Sequence, residues 1–112
     1  MQYIIVKEGD SFEKLTAELE MMRWELPKYN DLTDGSGIKA GDILYIQPKR
    51  KRAARENTTY VVKKGDTMYN ISQHFGVKLS SLYKFNCFVS TEEPQEGDTI
   101  QLRKGMKCQQ VY

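Results

Sequence analysis

An internal repeat constrains this chain more than any other feature. When the sequence is aligned with itself at an offset of 56 residues, three segments match without a gap: 6–11 with 62–67, 26–30 with 82–86, and 41–46 with 97–102. Nine of the 44 aligned pairs are identical, whereas unrelated sequences would give about two or three. The aligned stretch covers 44 of the 112 residues in each copy, so each copy must fold within roughly 45 residues. The repeat therefore predicts two very small modules.

The second copy has the clearer local pattern. Residues 60–63 form a β-branched run that stops at Gly65-Asp66, which predicts a strand and a turn. Two amphipathic helices should follow, on the apolar stripes Met68/Ile71/Phe75 and Leu79/Leu82/Phe85. Gly76 should end the first of them, and a strand at 99–102 closes the copy. This order predicts an α+β fold in which a two-stranded antiparallel sheet packs on two helices.

The motifs of the second copy resemble those of the LysM family. They are Tyr-Val-Val-Lys-Lys-Gly-Asp-Thr-Met at 60–68, Leu82, Asn86 and Gly-Asp-Thr-Ile-Gln-Leu at 97–102. That family is a βααβ fold that binds polymers containing N-acetylglucosamine, notably peptidoglycan and chitin. The resemblance implies a degenerate LysM module at 3–47, a basic linker at 48–59, a LysM module at 60–104 and a tail at 105–112. The arrangement is similar to the C-terminal LysM regions of bacterial cell-wall glucosaminidases.

The resemblance also implies a glycan groove between the first turn and the loop after the second helix. In the second copy its residues are Gly65, Asp66, Thr67, Met68, Cys87, Phe88, Val89 and Ser90. Phe88 or Met68 would cover the apolar face of a sugar, although Gly-Asp-Thr is also an ordinary turn with a helix cap and Phe88 is equally suited to a core. The first copy offers weaker counterparts: Gly9, Asp10, Ser11, Phe12, Leu32 and Thr33.

Two substitutions make the first copy the poorer candidate. Glu20 stands where the second copy has Gly76, so the first helix lacks the residue that most easily adopts a left-handed exit. Pro27 falls within the expected second helix, where it is tolerated only in the first turn. We therefore expect this helix to start late, near Glu25. The carboxylates of Asp31 and Asp34 should also disfavour the anionic groups of peptidoglycan.

Positive charge is concentrated between the two copies. Residues 48–59 carry five basic side chains and one acidic one, with no hydrophobic periodicity. Lys49-Arg50-Lys51-Arg52 resembles a nucleic-acid or nuclear-localisation patch, but no aromatic residues are interleaved that could stack on bases. A solvated linker is the favoured interpretation, and we expect no nucleic-acid partner.

Catalytic and metal sites find little support in the sequence. A single histidine, His74, and two cysteines without a CxxC spacing exclude an ordinary zinc site, and we expect no cofactor. Acidic pairs such as Glu92/Glu93 would need a substrate cleft that a module of this size has no room for. Cys87 and Cys108 can pair only if the chain between them returns nearly extended, and we favour unpaired cysteines.

The sequence thus favours a non-catalytic carbohydrate-binding module. It would anchor an attached enzyme or envelope protein to peptidoglycan or a chitin-type glycan, as a monomer and without membrane insertion, since no apolar run approaches the ~20 residues of a spanning helix. The expected location is the cell envelope, periplasmic or extracellular, as part of a longer exported chain. The alternative is a protein-interaction or structural scaffold whose LysM folds bind no glycan.

Overall fold

The computed structural model describes residues 2–33, 37–89 and 92–105. The chain divides into two compact units, Met1–Lys49 and Arg50–Tyr112. The first unit contains β1 (Tyr3–Ile5), α1 (Phe12–Glu18), α2 (Glu25–Tyr29) and β2 (Ile43–Tyr45). The second contains β3 (Thr59–Val61), α3 (Met68–Phe75), α4 (Leu79–Phe85) and β4 (Thr99–Gln101). Both units therefore have the strand–helix–helix–strand order that the periodicity predicts.

Each unit has its own two-stranded antiparallel sheet. β1 pairs with β2, placing Ile4 opposite Leu44, and β3 pairs with β4, placing Tyr60 opposite Ile100. Within the described residues the four strands form two separate sheets rather than one continuous sheet. In each unit the first and last strands pair with each other, and the two helices lie between them in the sequence. The turn after the first strand and the loop before the last strand therefore lie in the same unit.

The cores are separate as well. The hydrophobic core cluster of the first unit contains Val6, Leu15, Leu26 and Leu44. The hydrophobic core cluster of the second unit contains Ala53, Val62, Met68, Ile71, Val77, Leu82, Ile100 and Leu102. The stripes predicted for the second copy supply Met68, Ile71 and Leu82 to its cluster, because residues three and four positions apart share one helix face.

The helix boundaries follow from local chemistry. Ser11 and Thr67 cap α1 and α3, each accepting a hydrogen bond from the backbone N–H three residues later at 3.1 Å. Gly76 ends α3 with a φ of +67°, as predicted. Glu20 adopts a similar left-handed conformation with a φ of +54°, so the first unit makes the same exit with a residue that is strained there. α2 begins at Glu25 as expected, so Pro27 lies in its first turn.

The basic segment is more ordered than a solvated linker. The side chain of Lys49 is 1% exposed and its Nζ lies 2.7 Å from Asp31 Oδ2 within the first unit. In the second unit Ala53 is buried in the core, and its N–H donates to the Leu102 carbonyl at 3.0 Å. The backbone of Arg50 bonds to Gly76 and Lys78. Our expectation of a solvated linker is therefore wrong for Lys49 and Ala53, because an ion pair and a small apolar side chain allow them to be buried.

The cysteines require a second correction. Cys87 is disulfide-bonded, which contradicts our preference for unpaired cysteines. Cys108, the other cysteine of the sequence, lies outside the described residues, as do Asp34 and Ser90 of the predicted grooves. Across the residues that the structure describes, no helix is long and apolar enough to cross a bilayer.

Candidate functional site

The first wall of the predicted groove is the turn between β3 and α3. Gly65 has a φ of +87°, and the space where a side chain would begin is open, with no atom within 4 Å. The turn is held by Asp66, whose Oδ2 accepts hydrogen bonds from the Lys63 N–H at 2.8 Å and the Tyr60 hydroxyl at 2.5 Å. A ligand can therefore approach the peptide backbone at Gly65 closely, as the sequence predicts.

Met68 does not have the role proposed for its side chain. It is 0% exposed and belongs to the core of the second unit. It therefore cannot cover the apolar face of a sugar, and that expectation is wrong. The reason is its position as the first residue of α3, where the apolar stripe Met68/Ile71/Phe75 turns inward.

The second wall is the segment after α4. Phe88 is half-buried and packs against the core cluster that includes Met68, whereas Val89 is 61% exposed. The backbone at Cys87 is left-handed, with a φ of +58°. The structure thus settles Phe88 as partly a core residue, and Val89 offers the exposed apolar surface of this wall.

Glu93 links the two walls, a position in the groove that the sequence analysis did not predict. Its Oε1 accepts a hydrogen bond from the Met68 backbone N–H at 3.0 Å, across 25 residues of sequence. The neighbouring Glu92 accepts from the Val89 N–H at 3.1 Å. The predicted segments around Met68 and Val89 are therefore adjacent in space. Only the three-dimensional fold reveals this contact, since a Glu-Glu pair in a loop has no distinctive sequence pattern.

The electrostatics of the first wall depend on Asp66. The hydrogen bond from the Tyr60 hydroxyl, together with that from the Lys63 backbone N–H, lowers the pKa of the Asp66 carboxyl below its ordinary value. The same hydrogen bond raises the pKa of the Tyr60 hydroxyl. Asp66 is therefore a carboxylate at neutral pH, suited to accepting hydrogen bonds rather than to donating a proton.

The first unit repeats part of this arrangement. Gly9 has a φ of +88° and is equally open, Asp10 accepts from the Lys7 N–H at 2.8 Å, and Phe12 is half-buried. Leu32 is half-buried and Thr33 is exposed. The residue that corresponds to Glu93 is Gly37, which has no side chain to join the walls. The weaker counterparts thus surround a similar turn, and the position aligned with Glu93 carries no carboxylate.

The described residues hold no arrangement suited to metal-dependent chemistry. Among them, no group of three or more His, Cys, Asp or Glu side chains is placed to hold a metal ion. Glu92 and Glu93, the acidic pair considered for glycoside hydrolysis, accept hydrogen bonds from backbone N–H groups. Their observed contacts are those of residues that shape a loop.

Comparison with known proteins identifies the second copy. Residues 60–103 match the model of the LysM domain, a non-catalytic binding domain for peptidoglycan and other N-acetylglucosamine-type glycans. The chain is 27% identical over 114 residues to an autolysin of Enterococcus faecalis, covering 92% of this chain and 15% of the relative. It is 29% identical over 101 residues to membrane-bound lytic murein transglycosylase D of Escherichia coli K12, covering 87% of this chain and 22% of the relative.

A solved structure is also similar. The spore cortex-lytic enzyme SleL of Bacillus cereus has 29% sequence identity with this chain, and the match covers 95% of this chain and 23% of that protein, with a TM-score of 0.39. This chain therefore spans less than a quarter of the length of each of these three relatives.

Proposed function

We propose that the LysM domain at residues 60–103 anchors an attached enzyme or envelope protein to a polymer that contains N-acetylglucosamine, namely peptidoglycan. Binding takes place in the groove between the β3–α3 turn and the loop after α4, and the module itself is non-catalytic. The relatives are an autolysin and a murein transglycosylase, which supports a location in the cell envelope, periplasmic or extracellular.

One observation supports the groove above all others. The Met68 N–H···Glu93 hydrogen bond supports it, because it ties the first segment assigned to glycan contact to residues 92–93, and Glu92 accepts from the Val89 N–H of the second segment. Both segments lie inside the stretch that matches the LysM model. The groove is shallow and open at Gly65, which suits a polymer strand that must enter from the side rather than a small molecule that is engulfed.

The chemistry of the groove fits an acetamido sugar. Near Gly65, peptide N–H and C=O groups are accessible to the N–H and C=O of an acetamido group. The exposed Val89 supplies apolar contact for a sugar face, and the hydroxyl of Thr67 lies at the start of α3. Each contact is weak, so affinity should come from several sugar units of one strand.

We further propose that residues 3–47 are a second, degenerate LysM module and that 48–59 connects it to the module at 60–104, followed by a tail at 105–112. The repeat at an offset of 56 residues supports this division, as does the shared element order. Two linked modules increase retention on a polymer only when both bind. Because the first unit lacks a counterpart of Glu93, its contribution should be the smaller.

The proposal is tested by retention on insoluble glycans. The 112-residue chain is incubated with peptidoglycan or chitin at low and at high salt, and the bound fraction is measured. Retention that persists at high salt supports sugar recognition, whereas retention lost with salt indicates charge attraction alone. Loss of retention at high salt on both polymers would overturn the proposal.

A matched pair of variants locates the site. Val89→Asp places a charge against the sugar face, and Thr33→Asp makes the same change at the corresponding position of the first copy. We expect Val89→Asp to reduce the bound fraction at least tenfold, because a buried unpaired carboxylate is costly, and Thr33→Asp to reduce it less. Equal losses, or a larger loss from Thr33→Asp, would contradict the assignment to the second unit.

A protein-interaction role remains the second candidate for the first unit. Among the described residues of this unit, the large apolar side chains of Tyr3, Ile5, Met22 and Trp24 are exposed. Trp24 is 53% exposed and contacts Tyr29 edge to face at 6.3 Å between ring centroids. If Trp24→Ala left glycan retention unchanged but abolished association with a protein of the same envelope, the first unit would be an interaction module.

A further inference from the structure

A second concave surface adjoins the predicted groove and shares Asp66 with it. It is a cavity of about 240 Å³ next to the β3–α3 turn and one face of α3. Its lining includes Tyr60, Lys63, Asp66, Asn70, His74 and Phe75, and we call it the β3–α3 pocket. Its volume lies just below the roughly 300–1,000 Å³ typical of pockets for drug-sized ligands. The space is therefore suited to a single ring with its substituents.

Three rings form one side of this pocket. Phe75 contacts Tyr60 edge to face at 5.4 Å between centroids, and His74 contacts Phe75 in the same geometry at 4.7 Å. Phe75 and Tyr60 are half-buried, whereas His74 is exposed. A cluster of rings at the edge of a cavity offers apolar surface to the C–H groups of a ligand.

Polar groups complete the pocket. Asp66 uses Oδ2 for both of its protein hydrogen bonds, from Tyr60 and Lys63. Within the described residues, Asp66 Oδ1 accepts no hydrogen bond, and neither the Asn70 side-chain amide nor the His74 ring forms one. The pocket therefore presents a free acceptor, an amide with both donor and acceptor, and an imidazole. This mixture matches a neutral ligand rich in hydroxyl and amide groups better than a purely anionic one.

The first unit shows that the fold does not require this chemistry. At the corresponding positions it has Ile4 for Tyr60, Glu18 for His74 and Leu19 for Phe75, so none of the three rings is present. Lys14 replaces Asn70, and its Nζ lies 3.5 Å from Asp10 Oδ1, the counterpart of the free Asp66 oxygen. The same element order thus forms with aliphatic side chains and an ion pair. The fold alone therefore does not account for the rings and free polar groups of the second unit.

We propose that the β3–α3 pocket is a second saccharide subsite that holds one neutral sugar ring, next to the groove residues Gly65 and Val89. This inference rests on the proposed glycan-binding function and extends it to a second point of contact on the same domain. The rings contact the apolar face of the sugar, while Asp66 Oδ1, Asn70 and His74 bond to its hydroxyl or acetamido groups. Lys63 contributes a further donor at the rim.

The test uses the 112-residue chain and short N-acetylglucosamine oligomers, followed by NMR. We expect the Asn70 side-chain amide and the His74 ring signals to shift on titration. Asn70→Lys introduces the residue that the first unit carries, so it should fold, and its ammonium group should pair with Asp66 and fill the pocket. We expect this variant to lose the His74 shift and to bind oligomers about twofold to tenfold more weakly, the effect of one or two lost hydrogen bonds. Ser80→Lys adds the same charge on α4, outside the residues that line the pocket, and should bind as the unchanged chain does.

A second variant guards against an indirect effect of charge. Phe75→Leu introduces the leucine that the first unit has at the corresponding position, Leu19. This change removes the ring surface and keeps the net charge. It should also weaken binding while leaving the shifts of Gly65 and Val89 in place.

The possible outcomes separate the two proposals. If Gly65 and Val89 shift but Asn70 and His74 do not, the second subsite is wrong and the groove stands. If only Asn70 and His74 shift, the pocket is the glycan site and the proposed groove is wrong. If neither set shifts at millimolar oligomer, both proposals fall.

Discussion

Asn86 and Gln101 are joined by two hydrogen bonds that run in opposite directions. The Asn86 amide nitrogen donates to the Gln101 carbonyl at 3.0 Å, and the Gln101 N–H donates to the Asn86 side-chain oxygen at 2.7 Å. The same amide nitrogen also donates to the Leu82 carbonyl at 2.8 Å. Asn86 thus ties the end of α4 to β4, and Asn30 repeats the three bonds in the first unit with Leu26 and Tyr45.

Replacing either asparagine should destabilise its own unit. Asn86→Ala leaves the Gln101 N–H and two carbonyls without these partners, and each buried unsatisfied group costs about 1–3 kcal/mol. We expect the free energy of unfolding of the second unit to fall by roughly 2–4 kcal/mol. Denaturant titration followed by residue-specific NMR measures each unit separately. Asn30→Ala is the matched change, and it should affect the first unit while leaving the second unchanged.

The buried ion pair of the first unit gives a second prediction. Lys49 is almost fully buried, and burial lowers its pKa, although the adjacent Asp31 partly offsets this effect. Asp31→Ala should destabilise the first unit by roughly 2 kcal/mol, less than the ~3–5 kcal/mol for fully buried pairs, because the Asp31 side chain is 28% exposed. The double change Asp31→Ala with Lys49→Met removes the buried charge as well and should restore most of the lost stability of the first unit. A double variant no more stable than Asp31→Ala would contradict this account.

Local sequence patterns predicted the helices and strands well, but they did not predict which side chains are buried in every case. The strands, the cap Thr67, the exit at Gly76 and the late start of α2 at Glu25 follow from interactions over three or four residues. Such short-range rules can be read from sequence. Lys49 looked like part of a solvated charge run because its partner Asp31 lies 18 positions earlier, and composition does not reveal that pairing.

The candidate site was predictable only in part. The turn at Gly65 was predicted correctly because a left-handed turn after a strand favours glycine. The sugar-covering role considered for the Met68 side chain was wrong, since this first residue of the helix also belongs to its buried stripe. Glu93 and the rings of the β3–α3 pocket were missed because their contacts join separate elements. Contacts of this kind depend on the packed structure.

The unlike residues at the two helix exits give a third prediction. Glu20 has a φ of +54°, a conformation that costs a residue with a side chain about 1–2 kcal/mol. Glu20→Gly should therefore raise the free energy of unfolding of the first unit by about 1 kcal/mol, after the greater backbone entropy of glycine in the unfolded chain is included. Gly76→Ala should lower that of the second unit by a similar amount. Thermal unfolding followed at residues of each unit measures both changes in stability. If Glu20→Gly lowered the stability of the first unit, the claim that Glu20 is strained would be contradicted.

The Tyr60–Asp66 contact predicts how the second unit responds to acid. Because the hydrogen bonds from Tyr60 and Lys63 lower the pKa of Asp66 from its ordinary value of 3.8, their stabilising effect is complete above that value and is lost as the pH falls through the lower, folded-state pKa. The carboxyl carbon of Asp66, followed by NMR, should titrate with a midpoint below 3.8. Tyr60→Phe should move the midpoint upward. An unchanged midpoint would show that the hydroxyl does not act on Asp66.

Glu93 gives the last prediction, which concerns the choice between glycans. Its carboxylate accepts from the Met68 N–H, and in the proposed groove it would repel the lactyl and peptide carboxylates of peptidoglycan. In Glu93→Gln the amide oxygen can still accept that hydrogen bond, so only the charge is removed. We expect retention on peptidoglycan at low salt to rise about twofold, the scale of an exposed charge interaction, while affinity for neutral N-acetylglucosamine oligomers is unchanged. The gain should disappear at high salt because the repulsion is then already screened. Glu56→Gln, an exposed carboxylate outside both walls, should give no such gain, and an equal rise for the neutral oligomer would show that Glu93 acts through loop geometry rather than charge.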